Sequence, residues 1–107
     1  MKKTTYSYPK YLSLKGFLSF FILHELALAK RSGDDLAKRI GKRKGRDLTP
    51  GTIYPALKQL RKQGLIKFTR DGRRKEYYLT VEGRKELKGL YIALRECFSG
   101  LKSKIKG

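Results

Sequence analysis

Leu48-Thr-Pro-Gly-Thr-Ile-Tyr-Pro-Ala-Leu-Lys-Gln-Leu60, then Gly64-Leu-Ile66, then Asp71-Gly-Arg-Arg-Lys-Glu-Tyr-Tyr-Leu79, is the stretch on which the fold turns. Its first part reads as a helix. Ile53, Ala56, Leu57 and Leu60 fall on one apolar stripe, leaving Thr52, Tyr54, Lys58, Arg61 and Lys62 largely outside it. Thr49 can cap this helix and Pro50 suits a first helical position. Pro55, however, removes a backbone donor if it lies in a helix interior. The expected N-cap is therefore Thr52, with residues 49–52 as a tight lead-in turn. Gly64 is the expected stop. The second part reads as two short strands, 65–70 and 76–80, joined around Asp71-Gly72, with Arg73, Arg74 and Lys75 at or beside the tip. A helix followed by a basic hairpin is the order of a winged helix-turn-helix.

Upstream, Ser32-Gly-Asp-Asp-Leu36 supplies an N-cap and an acidic first turn. That helix buries Leu36, Ala37 and Ile40 and stops near Gly41 or Gly45. Before it, Leu14, Phe17, Leu18, Phe21, Ile22 and Leu26 recur at intervals of three and four, predicting a helix from Tyr11 to about Ala27 with a wide apolar face. Phe20 and Leu23 widen that face enough to suggest a second packing partner. Residues 1–10 read as a flexible basic arm. Downstream, Thr80 caps a last helix whose Leu87, Leu90, Tyr91, Leu94, Cys97 or Phe98, Leu101 and Ile105 form a coiled-coil-like seam. Few apolar residues remain to cover it. The expected dimer interface is thus Phe20, Leu23, Leu87, Leu90, Tyr91, Leu94, Phe98 and Leu101. The expected fold class is mainly α with a small β-hairpin. A winged helix-turn-helix spans residues 11–80, and a C-terminal dimerisation helix spans 81–107.

The chain has 107 residues with 27 Lys and Arg against 9 Asp and Glu, a net charge of +18. Such self-repulsion disfavours a compact state unless a polyanion is near. Double-stranded DNA is the expected partner, beside a second copy of the chain. A membrane is not expected: the most apolar run, Gly16 to Leu28, contains His24 and Glu25 and falls short of the ~20 residues a span needs. No secretory pattern is evident, so the expected location is cytoplasmic and nucleoid-associated. The single Cys97 excludes an intrachain disulfide and reads as a small core residue. One His and one Cys do not make a zinc site, and no metal or cofactor is expected. No phosphate-binding glycine loop and no nucleophile with a base is visible, which argues against an enzyme. No residue pattern specifies a small-molecule effector.

The second helix of a helix-turn-helix presents its N-terminal residues to base edges, and its free N–H groups favour phosphate. Thr49, Gly51, Thr52, Tyr54 and Lys58 are the candidate DNA contacts on the helix. Arg73, Arg74 and Lys75 are those on the wing. Residues 12–87 resemble the PadR family of transcriptional regulators. The resemblance is carried by Gly33-Asp-Asp-Leu-Ala-Lys-Arg-Ile40, Thr49-Pro-Gly-Thr-Ile-Tyr-Pro-Ala-Leu57, Gly64-Leu-Ile66, Gly72-Arg-Arg74, Tyr77-Tyr-Leu-Thr80 and Glu82-Gly-Arg84. It implies a homodimer whose last helix meets the partner's first helix. It also implies binding to a palindromic operator, usually as a repressor. The single terminal helix resembles the shorter branch of that family. Where the family commonly has a Gly-Pro turn between its first two helices, this chain has Leu28-Ala-Lys-Arg31, and it lacks tryptophan. Its high basicity keeps a low-specificity, architectural DNA-binding role as the alternative.

Overall fold

A computed structural model describes residues 14–43, 45–101 and 104. The elements are α1 (Leu14–Leu28), α2 (Gly33–Gly41), α3 (Pro50–Lys62), β1 (Ile66–Asp71), β2 (Arg74–Leu79) and α4 (Val81–Phe98), with a short 3-10 turn at Ser99–Leu101. The expected arm at residues 1–10 and the start of the first helix at Tyr11 lie outside the described residues. Among the described residues no helix is long and apolar enough to cross a membrane.

α2, α3, α4 and the hairpin begin or end on local signals. Ser32 Oγ accepts the Asp35 N–H at 3.1 Å and caps α2. Thr80 Oγ1 accepts the Gly83 N–H at 3.0 Å and donates to the Gly64 carbonyl at 2.7 Å, so one hydroxyl caps α4 and ties it to the end of α3. The expected cap of α3 is corrected. Thr49, not Thr52, is the N-cap, and Pro50 opens the helix. The ring of Pro50 presets the φ that a first helical residue needs. Pro55 then lies inside the helix and leaves the Gly51 carbonyl without its i+4 donor. At the other end, Leu65 N–H bonds Leu60 C=O at 3.0 Å and Gly64 N–H bonds Arg61 C=O at 2.9 Å. With Gly64 at φ 76°, this is a Schellman closure.

The hairpin is antiparallel, with Ile66 opposite Leu79, Phe68 opposite Tyr77 and Arg70 opposite Lys75. The strands extend closer to the tip than expected, and the two-residue turn is Gly72-Arg73, with Gly72 at φ 66°. Glycine in the first central position is the pattern of a II′ hairpin turn. Arg74 and Lys75 therefore belong to β2, and Arg73 alone of the three sits in the turn.

The core gathers Leu18, Ile22, Leu23 and Leu26 of α1, Leu36 and Ile40 of α2, Ile53, Leu57 and Leu60 of α3, and Ile66, Tyr77, Leu79 and Leu87 beyond them. Two expected interface residues are thereby relocated. Leu23, 1% exposed, and Leu87, 4% exposed, fill the chain's own core and are not free to face a second chain. Phe20 packs on that core and meets Tyr91 edge to face, with 5.6 Å between centroids. His24 stacks on Phe20 and hydrogen-bonds the Tyr91 hydroxyl. Beyond Tyr91 the helix outruns the core, which helps make the molecule long, 48 × 32 × 23 Å. Cys97, expected in the core, is exposed on this projecting part.

One buried carboxylate organises the junction of α1 and α2. Glu25 is 4% exposed. Its Oε1 meets Arg39 Nε at 2.8 Å and Arg31 Nε at 3.5 Å, and its Oε2 meets Arg43 Nη2 at 3.5 Å. Burial pushes its pKa up, but the Arg39 hydrogen bond and the charges of Arg39, Arg31 and His24 together outweigh it, and Glu25 lies below its ordinary 4.5. A carboxylate with a depressed native pKa adds stability above its unfolded value and loses it as pH falls through the native one. Stability should therefore decline as pH drops below 4.5, and part of that decline should vanish in Glu25→Gln. At neutral pH the same substitution removes the charge that part-buried Arg31 and the exposed Arg39 and Arg43 share, and should cost about 1–2 kcal/mol. Urea unfolding at pH 7 and across the acid range below it reads both effects. Equal acid sensitivity in the two proteins would show that Glu25 does not carry it.

Candidate nucleic-acid interface

The stripe Ile53, Leu57 and Leu60 turns one side of α3 into the core. At about 3.6 residues per turn, Gly51, Pro55, Lys58 and Lys62 fall on the opposite side, and all four are exposed. This is the most outward face of the helix. Thr52 lies on the flank toward α1, half-buried, where Gly51, Thr52, Pro55, Ala56 and Gln59 face Leu18 and Ser19 across a groove. Thr49 Oγ1 and Thr52 Oγ1 hydrogen-bond each other at 3.0 Å. The two threonines thus restrain the first turn of α3 rather than standing free.

Tyr54 lies on the opposite flank, toward α2 and the wing. Its hydroxyl donates to Asp34 Oδ1 at 3.1 Å, yet the residue stays 40% exposed. Partial burial, and then the bond to Asp34 and its charge, raise the tyrosine's pKa. The ring passes so close to Gly33 that a Cβ there would meet three of its atoms at 2.6–2.7 Å. Glycine at position 33 is what lets α3 approach the start of α2. Tyr54 is therefore a brace between two helices as well as an exposed ring.

The wing closes the same surface. Arg31 N–H bonds Tyr77 C=O at 3.1 Å and Tyr77 N–H bonds Arg31 C=O at 2.8 Å. This two-bond bridge docks β2 against the α1–α2 link. Ser32, Gly33, Asp34, Tyr54, Arg73, Arg74, Lys75 and Tyr77 then surround one cleft of about 300 Å3. Of the helix candidates only Tyr54 meets the three wing cations there, with the N-terminus of α2 between them, while Gly51 and Thr52 line the groove toward α1 and Lys58 lies on the outward face of α3. The three wing cations do not act alike, however. Arg73 is exposed in the turn. Arg74 Nη2 reaches Ser32 Oγ at 3.5 Å. Lys75 Nζ sits over the Phe68 ring, 4.7 Å from its centroid. The Glu25 cluster and the cations stacked on Phe68 escaped sequence reading. Each joins residues that are remote in the chain, and only the alternation of the strand hinted at the second.

Comparison with known proteins agrees with this geometry. Residues 22–89 match the transcriptional regulator PadR-like family. No curated protein matches the chain at a significant level. Among solved structures, a PadR family transcription regulator from Clostridium difficile is 26% identical, with a TM-score of 0.71 over 86% of this chain and 100% of that one. A PadR-like transcriptional regulator from Bacillus cereus is 25% identical, with a TM-score of 0.76 over 88% and 96%. RosR from H. salinarum is 26% identical, with a TM-score of 0.70 over 83% and 79%.

The approach of Tyr54 to Gly33 can be tested by a double-mutant cycle. Gly33→Ala should destabilise the protein by about 1–3 kcal/mol, the usual range for overpacking. In a Tyr54→Ala background the added methyl has no ring to meet, and its cost should largely disappear. Additive costs in thermal or urea unfolding would show that the two residues do not meet.

Proposed function

Because the chain belongs to the transcriptional regulator PadR-like family, we propose that it is a homodimer that binds a palindromic operator and represses transcription from it. The observation that carries the reading is the cleft in which Tyr54 of α3 and the N-terminus of α2 meet Arg73, Arg74 and Lys75 of the hairpin, beside an outward face of α3 that carries Lys58 and Lys62. α3 enters the major groove, with Tyr54 and Lys58 nearest to bases and phosphates. Arg73 and Arg74 follow the backbone into the adjacent minor groove. Thr49, Gly51 and Thr52 present the first turn of α3 to the DNA. As a member of a family of transcriptional regulators, the protein acts in this reading by binding DNA and not by catalysis. As a DNA-bound protein it would reside in the cytoplasm with the nucleoid.

The dimer reading is supported by the projecting end of α4. Tyr91, Ile92, Phe98 and Leu101 are 42–46% exposed there, and Leu94 is half-buried. A second chain that covers them would remove large apolar groups from water. With Leu23 and Leu87 committed to the core, the interface is carried by these residues, with Leu90 and Phe20 at its edge. Two-fold symmetry would set two copies of α3 about one DNA turn apart, ~34 Å or a multiple of it.

The net charge of +18 favours a second reading, a low-specificity protein that coats DNA. One set of measurements separates them. The intact protein should sediment as a dimer at micromolar concentration, and Phe98→Asp with Leu101→Asp should sediment as a monomer. Genomic footprinting should identify sites bound at least about a thousand-fold more tightly than random duplex. A dimer with no preference among duplexes would establish the coating role. A stable monomer would sink the palindromic-operator reading.

A further inference from the structure

On its α3 side the hairpin changes character from base to tip. Strand alternation puts Ile66, Phe68 and Arg70 of β1 on one face, opposite Leu79, Tyr77 and Lys75 of β2. The pair at the base is apolar and buried, the middle pair is aromatic, and the pair at the tip is cationic. Between this face and the second half of α3 runs a trough of about 490 Å3 lined by Lys58, Arg61, Lys62, Ile66, Lys67 and Phe68. Three cations from three elements gather on the single ring of Phe68. Arg61 Cζ of α3 is 4.8 Å from its centroid, Lys75 Nζ of β2 is 4.7 Å away, and Arg70 Cζ of β1 is 5.7 Å away. Phe68 is itself fixed edge-on against the buried Tyr77, with 5.6 Å between centroids.

The charge here is uncompensated. Among the described residues, ion pairs join Arg31, Arg39 and Arg43 to Glu25, and Arg31 also to Asp35. Among those same residues, Lys58, Arg61, Lys62, Lys67, Arg70 and Lys75 have no carboxylate at ion-pair distance. An aromatic face can hold a cation while leaving its charge available. Like charges so assembled repel one another until an anion arrives. These cations run from the second half of α3 across both strands of the hairpin, three of them on Phe68 and the others beside it. That arrangement suits a linear polyanion better than a small one.

We propose that this trough seats one sugar-phosphate strand of DNA, the strand that separates the major groove holding α3 from the minor groove holding the wing. The inference rests on the DNA-binding reading above and adds Arg61, Lys62, Lys67 and Arg70 to it, with Phe68 as their platform. The geometric reason is general. Two elements in adjacent grooves must straddle the backbone between them, and the concave surface joining those elements faces it. Phosphate contacts of this kind add affinity for every sequence and little discrimination.

The test is a salt series on a random duplex about three DNA turns long. Wild type is compared with Arg61→Gln/Lys62→Gln/Arg70→Gln and with a charge-matched control on α4, Arg84→Gln/Lys85→Gln/Lys88→Gln. In the trough variant the slope of log affinity against log salt concentration should fall by about 0.9 for each phosphate that is no longer neutralised. In the control it should change by much less. If the trough variant fails to fold, Lys62→Gln/Lys67→Gln, which leaves the Phe68 stack intact, should lower the slope in the same direction. Phe68→Leu should weaken binding roughly two- to five-fold while keeping most of the slope. Equal slopes for the trough and control variants would overturn the proposal while leaving DNA binding in place. A wild type that binds no duplex at any salt concentration would overturn the DNA-binding reading as well.

Discussion

The guanidinium of Arg31 reaches the Glu25 carbonyl at 3.1 Å and the Asp35 carboxylate at 3.2 Å, while its backbone exchanges two hydrogen bonds with Tyr77. One residue thus joins the end of α1, the start of α2 and the second strand of the wing. The pose of the hairpin relative to α3 follows from this junction. If the bridge moved, Arg74 would lose its approach to Ser32, and the cleft that gathers Tyr54 with the wing cations would open. The link Leu28-Ala-Lys-Arg31 therefore ends on a residue with a structural task in this chain.

Two groups of arginines in this protein are held in contrasting ways. Those around Glu25 are paired and hold helices together. A carboxylate this well hidden costs desolvation that only close, well-aimed partners offset. Those around Phe68 rest on an aromatic ring and remain unpaired by carboxylates among the described residues. The same residue type is thus structural in one place and available for a ligand in another. The difference lies in the carboxylate, since Arg43 also lies over a ring, that of Phe21 at 4.5 Å, yet is paired with Glu25.

α1 and α4 show a similar division of apolar residues. Leu23 and Leu87 fill the core, while Tyr91, Ile92, Phe98 and Leu101 do not. Leu87 belongs to the first half of α4, which lies against the domain; Tyr91 still meets Phe20 and His24 at the domain's edge, and Ile92, Phe98 and Leu101 lie farther along. An unbroken apolar period along a helix says that one face avoids water. It does not say where cover by the helix's own domain ends.

Local signals in the chain carried most of the architecture. Ser32 and Thr80 cap through their own hydroxyls. Gly64 and Gly72 take the positive φ that ends α3 and turns the hairpin, and the stripe Ile53–Leu57–Leu60 orients α3. These depend on neighbours within a few residues, so they are legible without the fold. The cap of α3 is the exception. The cost of Pro55 inside a helix points to Thr52, but Pro50 and the packing of the Ile53 stripe start the helix at Thr49. What tertiary structure alone decided is the pairing of remote groups. Glu25 with Arg39 and Arg43, Tyr54 with Gly33 and Asp34, and Phe68 with Arg61 and Lys75 are each brought together by the crossing of elements. A linear sequence states charge and ring at each position, but whether two of them come within reach depends on helix crossings and strand register that only the packed core determines.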